Sequence, residues 1–220
     1  MQKIVHIVAG GPEQFLPALS NFKNNKGEIF WIGVDRGVQY LLDAGIKPNL
    51  ALGDFDSISR DALLTLEQAT FPVLKFPAEK DQTDMEIAFR QALEQKPDQI
   101  RIFGATGGRL DHLLANISLL TNSHYLERVR TVQLIDRTNI LEIRRPGKYT
   151  LQKLPDKPYV SFIPLSPAVE NLTLQGFKYP LHEASVPFGS TLCISNEIIA
   201  DSGTFLFTKG ILLVVRSSDG

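Results

Sequence analysis

Two hydrophobic rhythms alternate along the first half of the chain. Short apolar runs rich in β-branched residues predict buried strands, and the segments between them carry apolar residues at helical spacing. This strand–helix alternation recurs about five times and predicts a mostly parallel sheet with helices on both faces. The predicted strands are Ile4–Val8, Ile29–Val34, Leu50–Leu52, Phe71–Phe76 and Gln99–Phe103.

The predicted helices lie between these strands and after the last of them. Each is recognised by residues at helical spacing, nearly all of them apolar, which this spacing places on one face of a helix. The residues that mark the helices are Leu16, Leu19 and Phe22, then Val38, Leu41 and Leu42, then Leu63, Leu64 and Glu67, then Met85, Ala88, Phe89, Ala92 and Leu93, and finally Leu110, Leu113, Leu114, Ile117 and Leu120.

The rhythm changes after about residue 125, where short strand-like runs follow one another without helical segments. Such a series predicts an antiparallel sandwich or partial barrel. We therefore expect an α/β domain over residues 1–127 and an all-β sandwich over residues 128–220. The predicted strands of the second part are Thr131–Ile135, Ile140–Ile143, Tyr149–Leu151, Val160–Pro164, Leu172–Leu174, Thr191–Ile194, Thr204–Phe207 and Leu212–Val215.

Composition and charge narrow the classes of function. Hydrophobic residues make up 43% of the 220 residues and charged residues 21%, which is typical of a globular protein. Lysine and arginine number 23 against 24 acids, so no overall positive field attracts nucleic acid or an anionic membrane. No apolar run approaches the roughly 18 residues of a membrane helix. The single cysteine, Cys193, fits a reducing compartment, and we expect a cytoplasmic protein.

A first acidic pair, Asp54 and Asp56, follows the third predicted strand directly. In an extended backbone, side chains two residues apart point the same way, so these carboxylates are expected to converge. They would lie at the carboxyl end of a strand, where open α/β sheets bind ligands. Paired carboxylates beside a phosphate suit Mg²⁺. The alternative interpretation is a simple turn, because Asp, Gly and Ser are turn formers.

A second acidic cluster precedes the helix that begins near Met85. Thr83 and Glu86 form a capping box, which accounts for those two residues without any function. Asp81 and Asp84 are not explained in this way and should project from the helix start, also at a strand's carboxyl end. With the first pair they would form a group of four carboxylates that repel one another unless a cation or a proton intervenes. Lys80 could neutralise part of this charge or contact a phosphate.

A glycine-rich turn, Gly104-Ala-Thr-Gly-Gly-Arg-Leu-Asp-His112, lies between the fifth predicted strand and the next helix. Glycines permit close approach of the backbone, and a helix N-terminus offers free N–H groups to phosphate. Arg109 adds a guanidinium fork for phosphate oxygens. The spacing of a Walker loop is absent. The alternative is a tight turn in which Arg109 and Asp111 pair on the surface, with His112 packed or capping.

Two shorter segments are more ambiguous. Val34-Asp35-Arg36-Gly37 closes the second strand and either shapes a cleft or forms a loop salt bridge. Ala9-Gly10-Gly11-Pro12 either passes close to a ligand or simply turns the chain. The polar residues that follow Cys193 are expected to be solvated at a strand end.

In this order and at these separations, the motifs resemble those of bacterial thiamine pyrophosphokinases. The resemblance spans most of the chain, and its motifs are specific together although each is weak alone. They are Gly53-Asp-Phe-Asp-Ser-Ile58, Lys80-Asp-Gln-Thr-Asp84 and Gly107-Gly-Arg-Leu-Asp-His112, with Asp35-Arg-Gly37 upstream and Ile194-Ser-Asn-Glu197 downstream.

The resemblance implies an activity and a set of roles. The family has an N-terminal α/β catalytic domain and a C-terminal β-sandwich, works as a homodimer, and transfers the pyrophosphoryl group of ATP to thiamine with Mg²⁺. The family's thiamine-stacking tryptophan has no counterpart in the second half, where no tryptophan occurs. By motif match, Asp54, Asp56, Asp81 and Asp84 are the metal and catalytic carboxylates, Lys80, Thr106, Gly107, Gly108, Arg109 and Asp111 bind the nucleotide, and Ser195 and Asn196 bind thiamine.

Two alternatives from other classes are considered. Asp54-Phe-Asp56 also imitates the nucleophile motif of haloacid-dehalogenase-like phosphatases, although there the pair follows the first strand and here it follows the third. A non-catalytic nucleotide or vitamin sensor is the second alternative. A sensor has little need for four acids around a polyphosphate, so the enzyme is favoured.

Overall fold

The computed structural model describes residues 2–23, 27–56, 58–77, 79 and 81–219. The chain divides into two compact units, residues 1–137 and residues 138–220. Among the helices of the described residues, none combines the length and apolar character needed to cross a membrane.

The first unit is built on a parallel sheet. The strand order is β6-β5-β1-β2-β3-β4, so β1 lies between β2 and β5. Strand β1 is buried from Ile4 to Val8, whereas β5 alternates half-buried Gln99 and Arg101 with buried apolar residues. The strands are β1 (Lys3–Val8), β2 (Glu28–Val34), β3 (Leu50–Gly53), β4 (Val73–Lys75), β5 (Gln99–Phe103) and β6 (Thr131–Ile135).

Helices connect most of these strands, which confirms the predicted α/β fold. The capping box also forms in part, because the Thr83 hydroxyl accepts a hydrogen bond of 3.1 Å from the Glu86 N–H at the start of α3. The helices are α1 (Arg36–Asp43), α2 (Arg60–Glu67), α3 (Asp84–Glu94), α4 (Leu110–Leu120) and α5 (Ser123–Leu126).

The helix predicted around Leu16–Phe22 is wrong. Two short 3₁₀ turns, Glu13–Phe15 and Leu19–Phe22, occupy this region instead. Leu16 between them is extended, with ψ 126°. The cause is Pro17, which disfavours a helical conformation in the residue before it and has no N–H to donate.

The second unit consists of two antiparallel sheets, in the orders β12-β9-β14-β7 and β11-β10-β13-β8. Residues of both sheets share one apolar cluster, in which Phe162 packs edge-on against Phe177 and Phe205. This confirms the predicted sandwich. Its strands are β7 (Asn139–Arg144), β8 (Gly147–Gln152), β9 (Tyr159–Pro164), β10 (Ala168–Gln175), β11 (Leu181–Pro187), β12 (Asn196–Glu197), β13 (Ser202–Phe207) and β14 (Leu212–Ser217).

Two features of the second unit differ from the sequence prediction. Thr191–Ile194 is not a strand but a turn that leads into β12, even though Cys193 within it is buried in the core. Strand β11 was not predicted, because its exposed residues His182, Glu183 and Ser185 interrupt the apolar alternation. Strand β11 forms because it pairs antiparallel with β10, a contact that its own sequence does not indicate.

The division between the units falls after Arg137, whereas the sequence places the domain boundary after residue 127. The physical reason is β6, which pairs in parallel with β5 through the whole of Gln99–Phe103. Its composition resembles that of the later strands, but it pairs in parallel with β5, which belongs to the first unit.

A buried histidine lies in the core of the first unit. The side chain of His6 in β1 has no exposed surface, and neither ring nitrogen has a hydrogen-bond partner within the described residues. Its ring lies 4.3 Å from that of Trp31 and 5.5 Å from that of Phe103. Burial, with a smaller contribution from the charge of Arg101, lowers the pKa of His6 to about 3. His6 is therefore neutral in the folded protein at any physiological pH.

His6→Leu should remove part of the acid sensitivity of the fold. Below pH 6.5 the unfolded chain takes up a proton at His6 that the folded chain excludes, so stability falls as the pH falls, down to about pH 3. Between pH 7.5 and pH 5 this linkage costs the wild type about 2 kcal/mol, and His6→Leu abolishes the loss. Urea unfolding of both proteins at the two pH values measures the difference.

The control is His182→Leu, at an exposed position in β11. This variant shows how far replacing an exposed histidine changes the pH dependence of the free energy of unfolding. Wild-type and His6→Leu proteins that lose the same free energy of unfolding between the two pH values would contradict the assignment.

Candidate functional site

The loops that follow β1 and β5 border a cleft of about 590 Å³ in the first unit. Because β2, β3 and β4 extend the sheet on one side of β1 while β5 and β6 extend it on the other, the strand order reverses between β1 and β5. Open α/β sheets bind their ligands at this switch point, outside the carboxyl ends of the strands. Ala9–Pro12 and the glycine-rich turn after β5 both line the cleft.

Backbone contacts hold the two loops together. Gly11 N–H donates to the carbonyl of Gly104 at 2.8 Å, and the Tyr40 hydroxyl donates to the carbonyl of Gly11 at 3.0 Å. Gly107 has a φ of 77°, and a Cβ at this position would lie 2.1 Å from Cδ2 of Phe15. Only glycine satisfies both constraints, so the turn is built for close backbone approach.

Thr106, one of the predicted nucleotide-binding residues, lies in the cleft wall and is nearly buried. Its hydroxyl donates a hydrogen bond of 2.8 Å to Oδ2 of Asp136, which follows β6 and is buried as well. This contact joins the glycine-rich turn to the next strand of the sheet.

Arg109 and Asp111 form the surface pair that was one of the two interpretations of this motif. The guanidinium donates from Nε to Oδ1 at 3.1 Å and from Nη2 to Oδ2 at 2.6 Å. Hydrogen bonding to Arg109 lowers the pKa of Asp111. Arg109, Gly108 and His112 line the cleft, and the fork to Asp111 engages only Nε and Nη2 of the guanidinium.

Three acidic side chains from different elements lie within electrostatic range of one another. They are Asp35 after β2, Asp54 after β3, and Asp84 at the start of α3. Burial, then the negative charges of Asp84 and Asp54, raise the pKa of Asp35 to about 6. Oδ1 of Asp35 is buried and has no hydrogen-bond partner among the described residues. Excess negative charge is thus concentrated at this edge of the sheet.

The expectation that Asp54 and Asp56 point the same way is wrong, because the backbone between them is not extended. Phe55 has a φ of 61°, and its side chain is buried in a small apolar cluster with Val38 and Leu66. Asp54 is partly buried, and its Oδ1 accepts a hydrogen bond of 3.2 Å from the Asp56 N–H, while Asp56 is exposed. The turn predicted as the alternative is present.

The second acidic cluster reaches the cleft as expected. Asp81 and Asp84 both line it, with Gln82 and Thr83 between them. Lys80, predicted to contact a phosphate, lies outside the described residues. Within the described part of the chain, no group of three or more His, Cys, Asp or Glu side chains is arranged to hold a metal ion.

Ser195 and Asn196 lie in the second unit at the start of β12. Asn196 is buried and hydrogen-bonded through both amide atoms: Oδ1 accepts from the Tyr179 N–H at 3.0 Å and the Glu197 N–H at 2.9 Å, and Nδ2 donates to the Tyr179 carbonyl at 2.8 Å. Ser195 is exposed, with a φ of 55°, and its N–H donates to Oγ of Ser161 at 3.0 Å.

The cleft is also lined by Ala9–Pro12, Asp35 and Asn116, and Asp136 supports its wall through Thr106, yet none of these is predicted as a site residue. Asp35 follows a strand just as Asp54 does, so the same strand-end argument could have selected it. The glycines of Ala9–Pro12 carried a signal that was left open. Asn116 and Asp136, which are buried, carried none, because a polar residue within an apolar helix or after a strand has no distinctive pattern.

The fold and the cleft together define a class: an α/β protein with a ligand cleft at its topological switch point, carrying an antiparallel β-sandwich as a second unit. Within this class the chain belongs to the thiamine pyrophosphokinase family. Residues 23–132 match the model of the thiamin pyrophosphokinase catalytic domain, and residues 148–212 match that of the vitamin B1 binding domain.

Individual relatives resemble the chain over its whole length. It is 48% identical to a thiamine pyrophosphokinase from Bacillus subtilis over 220 residues, which cover 99% of this chain and all of the relative. A crystal structure of thiamine pyrophosphokinase from Bacillus subtilis matches with a TM-score of 0.91 at 47% identity, covering 99% of this chain and 100% of that one. A structure from Geobacillus thermodenitrificans matches with a TM-score of 0.88 at 49% identity, covering 99% and 98%.

Gly107→Ala should destabilise the first unit more than the same change at another left-handed glycine. Gly45→Ala is the matched control, because Gly45 has a φ of 62° but, among the described residues, the atom nearest to a new Cβ would be Lys23 Nζ at an ordinary 3.7 Å. Both variants share the backbone strain, and only Gly107→Ala adds the collision with Phe15. We expect an additional loss of about 1–3 kcal/mol, measured by urea unfolding. Equal losses would show that Phe15 yields without cost.

Proposed function

We propose that this protein catalyses the transfer of the pyrophosphoryl group of ATP to the hydroxyethyl group of thiamine, giving thiamine diphosphate and AMP. The oxygen of the thiamine hydroxyl forms a bond to the β-phosphorus, the bond between that phosphorus and the oxygen bridging to the α-phosphate breaks, and the hydroxyl proton is released. The supporting observation is a cleft at the switch point that combines a glycine turn with acids, in a chain 48% identical to a thiamine pyrophosphokinase over full length.

The glycine-rich turn is proposed to bind the polyphosphate of ATP. Gly107 and Gly108 leave the backbone accessible, and the start of α4 supplies N–H groups with a partial positive charge. Arg109 contributes a guanidinium fork once it releases Asp111. Thr106 keeps the turn in place through Asp136, and Lys80 is proposed to add a further positive charge.

The acids are proposed to hold Mg²⁺. Asp54 and Asp84 would be its principal protein ligands, with Asp56 and Asp81 nearby. The donor chemistry fits, because Asp54 and Asp84 concentrate negative charge beside the partly buried Asp35 and a cation would neutralise it. Mg²⁺ usually takes one or two carboxylates and fills its shell with water and phosphate oxygens. When bound, the ion supplies neutralisation of the charge that develops on the phosphate oxygens.

The carboxylate of Asp84 is proposed to accept the proton of the thiamine hydroxyl. Its position as the first residue of α3 fixes it at the cleft edge, and the hydrogen bond between Thr83 and Glu86 anchors the helix start. Positioning and electrostatics, rather than covalent chemistry by the protein, supply most of the acceleration in reactions of this type.

Thiamine is proposed to bind at the segment around Ser195 in the second unit. The match of residues 148–212 to the vitamin B1 binding domain supports this assignment. Ser195 is exposed and can contact a ligand, whereas the amide of Asn196 holds Tyr179 and Glu197. We therefore propose that Asn196 stabilises the turn in which Ser195 has a left-handed backbone conformation.

The protein is proposed to act as a homodimer. Apolar side chains that are unusually exposed support this assignment. On α4, Leu110 and Leu114 lie one turn apart and are 73% and 62% exposed. In the second unit, Phe188, Leu192 and Ile199 are each more than 60% exposed.

A cytoplasmic location is proposed from the sequence. Cys193 is the single cysteine and is buried, so the fold does not rely on a disulfide within the chain. A chain with this cysteine usage is typical of reducing compartments.

Neither alternative class agrees with these findings. The motif Asp54-Phe-Asp56 follows β3 rather than β1, unlike the nucleophile pair of haloacid-dehalogenase-like phosphatases, and the chain belongs to another family. A non-catalytic sensor does not fit a chain whose first unit matches a catalytic-domain model over residues 23–132.

Incubation with ATP, MgCl₂ and thiamine should yield AMP and thiamine diphosphate in equal amounts. Phosphorus NMR with chromatography of the thiamine products measures both. Formation of ADP and thiamine monophosphate would contradict pyrophosphoryl transfer, and tight ligand binding without AMP would favour the sensor.

Asp84→Asn should lower kcat by about 100-fold or more while the protein stays folded, because a neutral amide neither accepts the proton nor binds a divalent ion well. Asp43→Asn is the matched control, since Asp43 is exposed at the end of α1 and does not line the cleft. Circular dichroism of both variants checks the fold. Near-normal turnover of Asp84→Asn would refute its proposed role.

Sedimentation equilibrium should give twice the mass of one chain for the wild type. Replacing Leu110 and Leu114 with glutamate should weaken the association, because two charges would be buried in the interface. Leu64→Glu is the control, at an exposed position of α2. A monomeric wild type at assay concentration would rule out the dimer.

A further inference from the structure

Asn116 is a buried polar residue of α4 in the lining of the cleft. It is only 9% exposed. Among the described residues, its amide has no hydrogen-bond partner. A carboxamide withdrawn from bulk water without a hydrogen bond costs the folded protein free energy, so most such groups in proteins have a partner. A ligand in the cleft can provide the hydrogen bonds that this amide lacks.

The geometry of α4 directs Asn116 towards the cleft. His112 and Asn116 are four residues apart, which places them on one face of the helix, and both line the cleft, as does Ala115. His112 and Ala115 are exposed and Asn116 is buried, so the cleft deepens along the helix. The described polar atoms that are sealed from solvent without a partner include both ring nitrogens of His6 but neither amide atom of Asn116. The amide is therefore accessible from the cleft.

The position of Asn116 is distant from the glycine-rich turn that is proposed to bind phosphate. That turn ends where α4 begins, at Leu110, and Asn116 comes six residues later, about 9 Å along the helix axis. The cleft lining also includes the apolar side chains of Val34, Met85 and Ala115. Ligand pockets commonly combine apolar walls with a few polar groups that fix the orientation of the ligand. Asn116 is thus placed to contact a part of a substrate that lies away from the phosphates.

Both substrates of the proposed reaction carry the same kind of polar edge at such a distance. ATP carries adenine and thiamine carries an aminopyrimidine, each at the end of the molecule opposite the reacting atoms. In both heterocycles an NH₂ donor lies beside a ring nitrogen that accepts a hydrogen bond. A carboxamide matches this pair with its own oxygen and NH₂ group, as asparagine does with adenine in DNA.

We propose that Asn116 binds the amino-substituted nitrogen heterocycle of a substrate, accepting a hydrogen bond from the NH₂ group and donating one to the adjacent ring nitrogen. The inference deepens the proposed function and rests on it for the identity of the substrates. Adenine and the aminopyrimidine share this chemistry, and binding measurements with matched analogues distinguish them. The role of Asn116 is binding and selectivity, not the transfer step.

Calorimetric titration with two pairs of ligands tests the proposal without requiring the reaction. The first pair is AMP and purine riboside monophosphate, and the second is thiamine and 4′-deaminothiamine. In each pair the second compound has hydrogen in place of the NH₂ group. The wild type should bind the amino compound of one pair at least about tenfold more tightly, because the analogue leaves a polar group of the site unpaired. The pair that shows the preference identifies the heterocycle.

Asn116→Ala and Asn116→Leu should reduce this preference to within about threefold, because neither side chain can pair with the NH₂ group. Ser118→Ala is the matched control, at an exposed position of α4 outside the described cleft lining, and it should keep the wild-type preference. A wild type that prefers neither amino compound would overturn the proposal. Two Asn116 variants that both keep the preference would overturn it as well.

Urea unfolding separates ligand binding from a structural role of the amide. Alanine has a higher helix propensity than asparagine, and within the described chain the Asn116 amide has no hydrogen bond to lose. Asn116→Ala should therefore unfold at a urea concentration no lower than that of the wild type. A clearly lower midpoint in both Asn116→Ala and Asn116→Leu would show that the amide supports the fold, and it would overturn the proposal.

Kinetics gives an independent measure of the same role. Asn116→Ala should raise the KM of one substrate at least about tenfold while kcat stays within about threefold, because removing an interaction present throughout the reaction weakens binding alone. A lower kcat with both KM values unchanged would overturn the proposal. A wild type that forms no AMP would instead contradict the proposed function, while the binding and unfolding measurements would still decide whether Asn116 binds a heterocycle.

Discussion

Parallel pairing of β1 with both β2 and β5 is the constraint on which the cleft depends. It places the loops after β1, β2, β3 and β5 at one edge of the sheet, and it creates the reversal of strand order between β1 and β5. Residues distant in sequence, such as Gly11, Asp35 and Gly104, meet there because their strands are neighbours. If β1 did not pack in the core, the polar groups of the site would no longer lie close together.

Much of the fold could be predicted from the sequence where the physics is local. Buried parallel strands appear as continuous apolar runs, and Gln99–Phe103 coincides with β5 residue for residue. Prediction failed where contacts with residues distant in sequence determine the structure. Strand β6 pairs with β5 of the first sheet, β11 forms by pairing with β10, and Thr191–Ile194 is an apolar turn. At Leu16–Phe22 the local signal of Pro17 was present and was outweighed by the helical spacing.

The candidate site also contains features with a local sequence signal and features that only distant contacts determine. The acids of both clusters and the glycine turn were selected by position relative to strands and helices, and the turn and the second cluster line one cleft. The orientation of Asp56 was wrong because the side chain of Phe55 is buried, and that burial turns the backbone in a way that a two-residue period does not describe. Asp136 and Asn116 depend on tertiary contacts alone and carry no local pattern.

On the proposed function, a phosphate that takes the Nε and Nη2 donors of Arg109 has to displace Asp111 from them. Both side chains are largely exposed, so solvent screens the pair and it contributes little free energy. An anion that displaces the Asp111 carboxylate returns that carboxylate to water. The net free energy gained is therefore only the difference between the anion's interaction with Arg109 and that of Asp111. A singly charged anion gains almost nothing from this substitution, whereas a chain of several negative charges gains more. On the proposed function, the loop therefore favours the polyphosphate of ATP over singly charged anions.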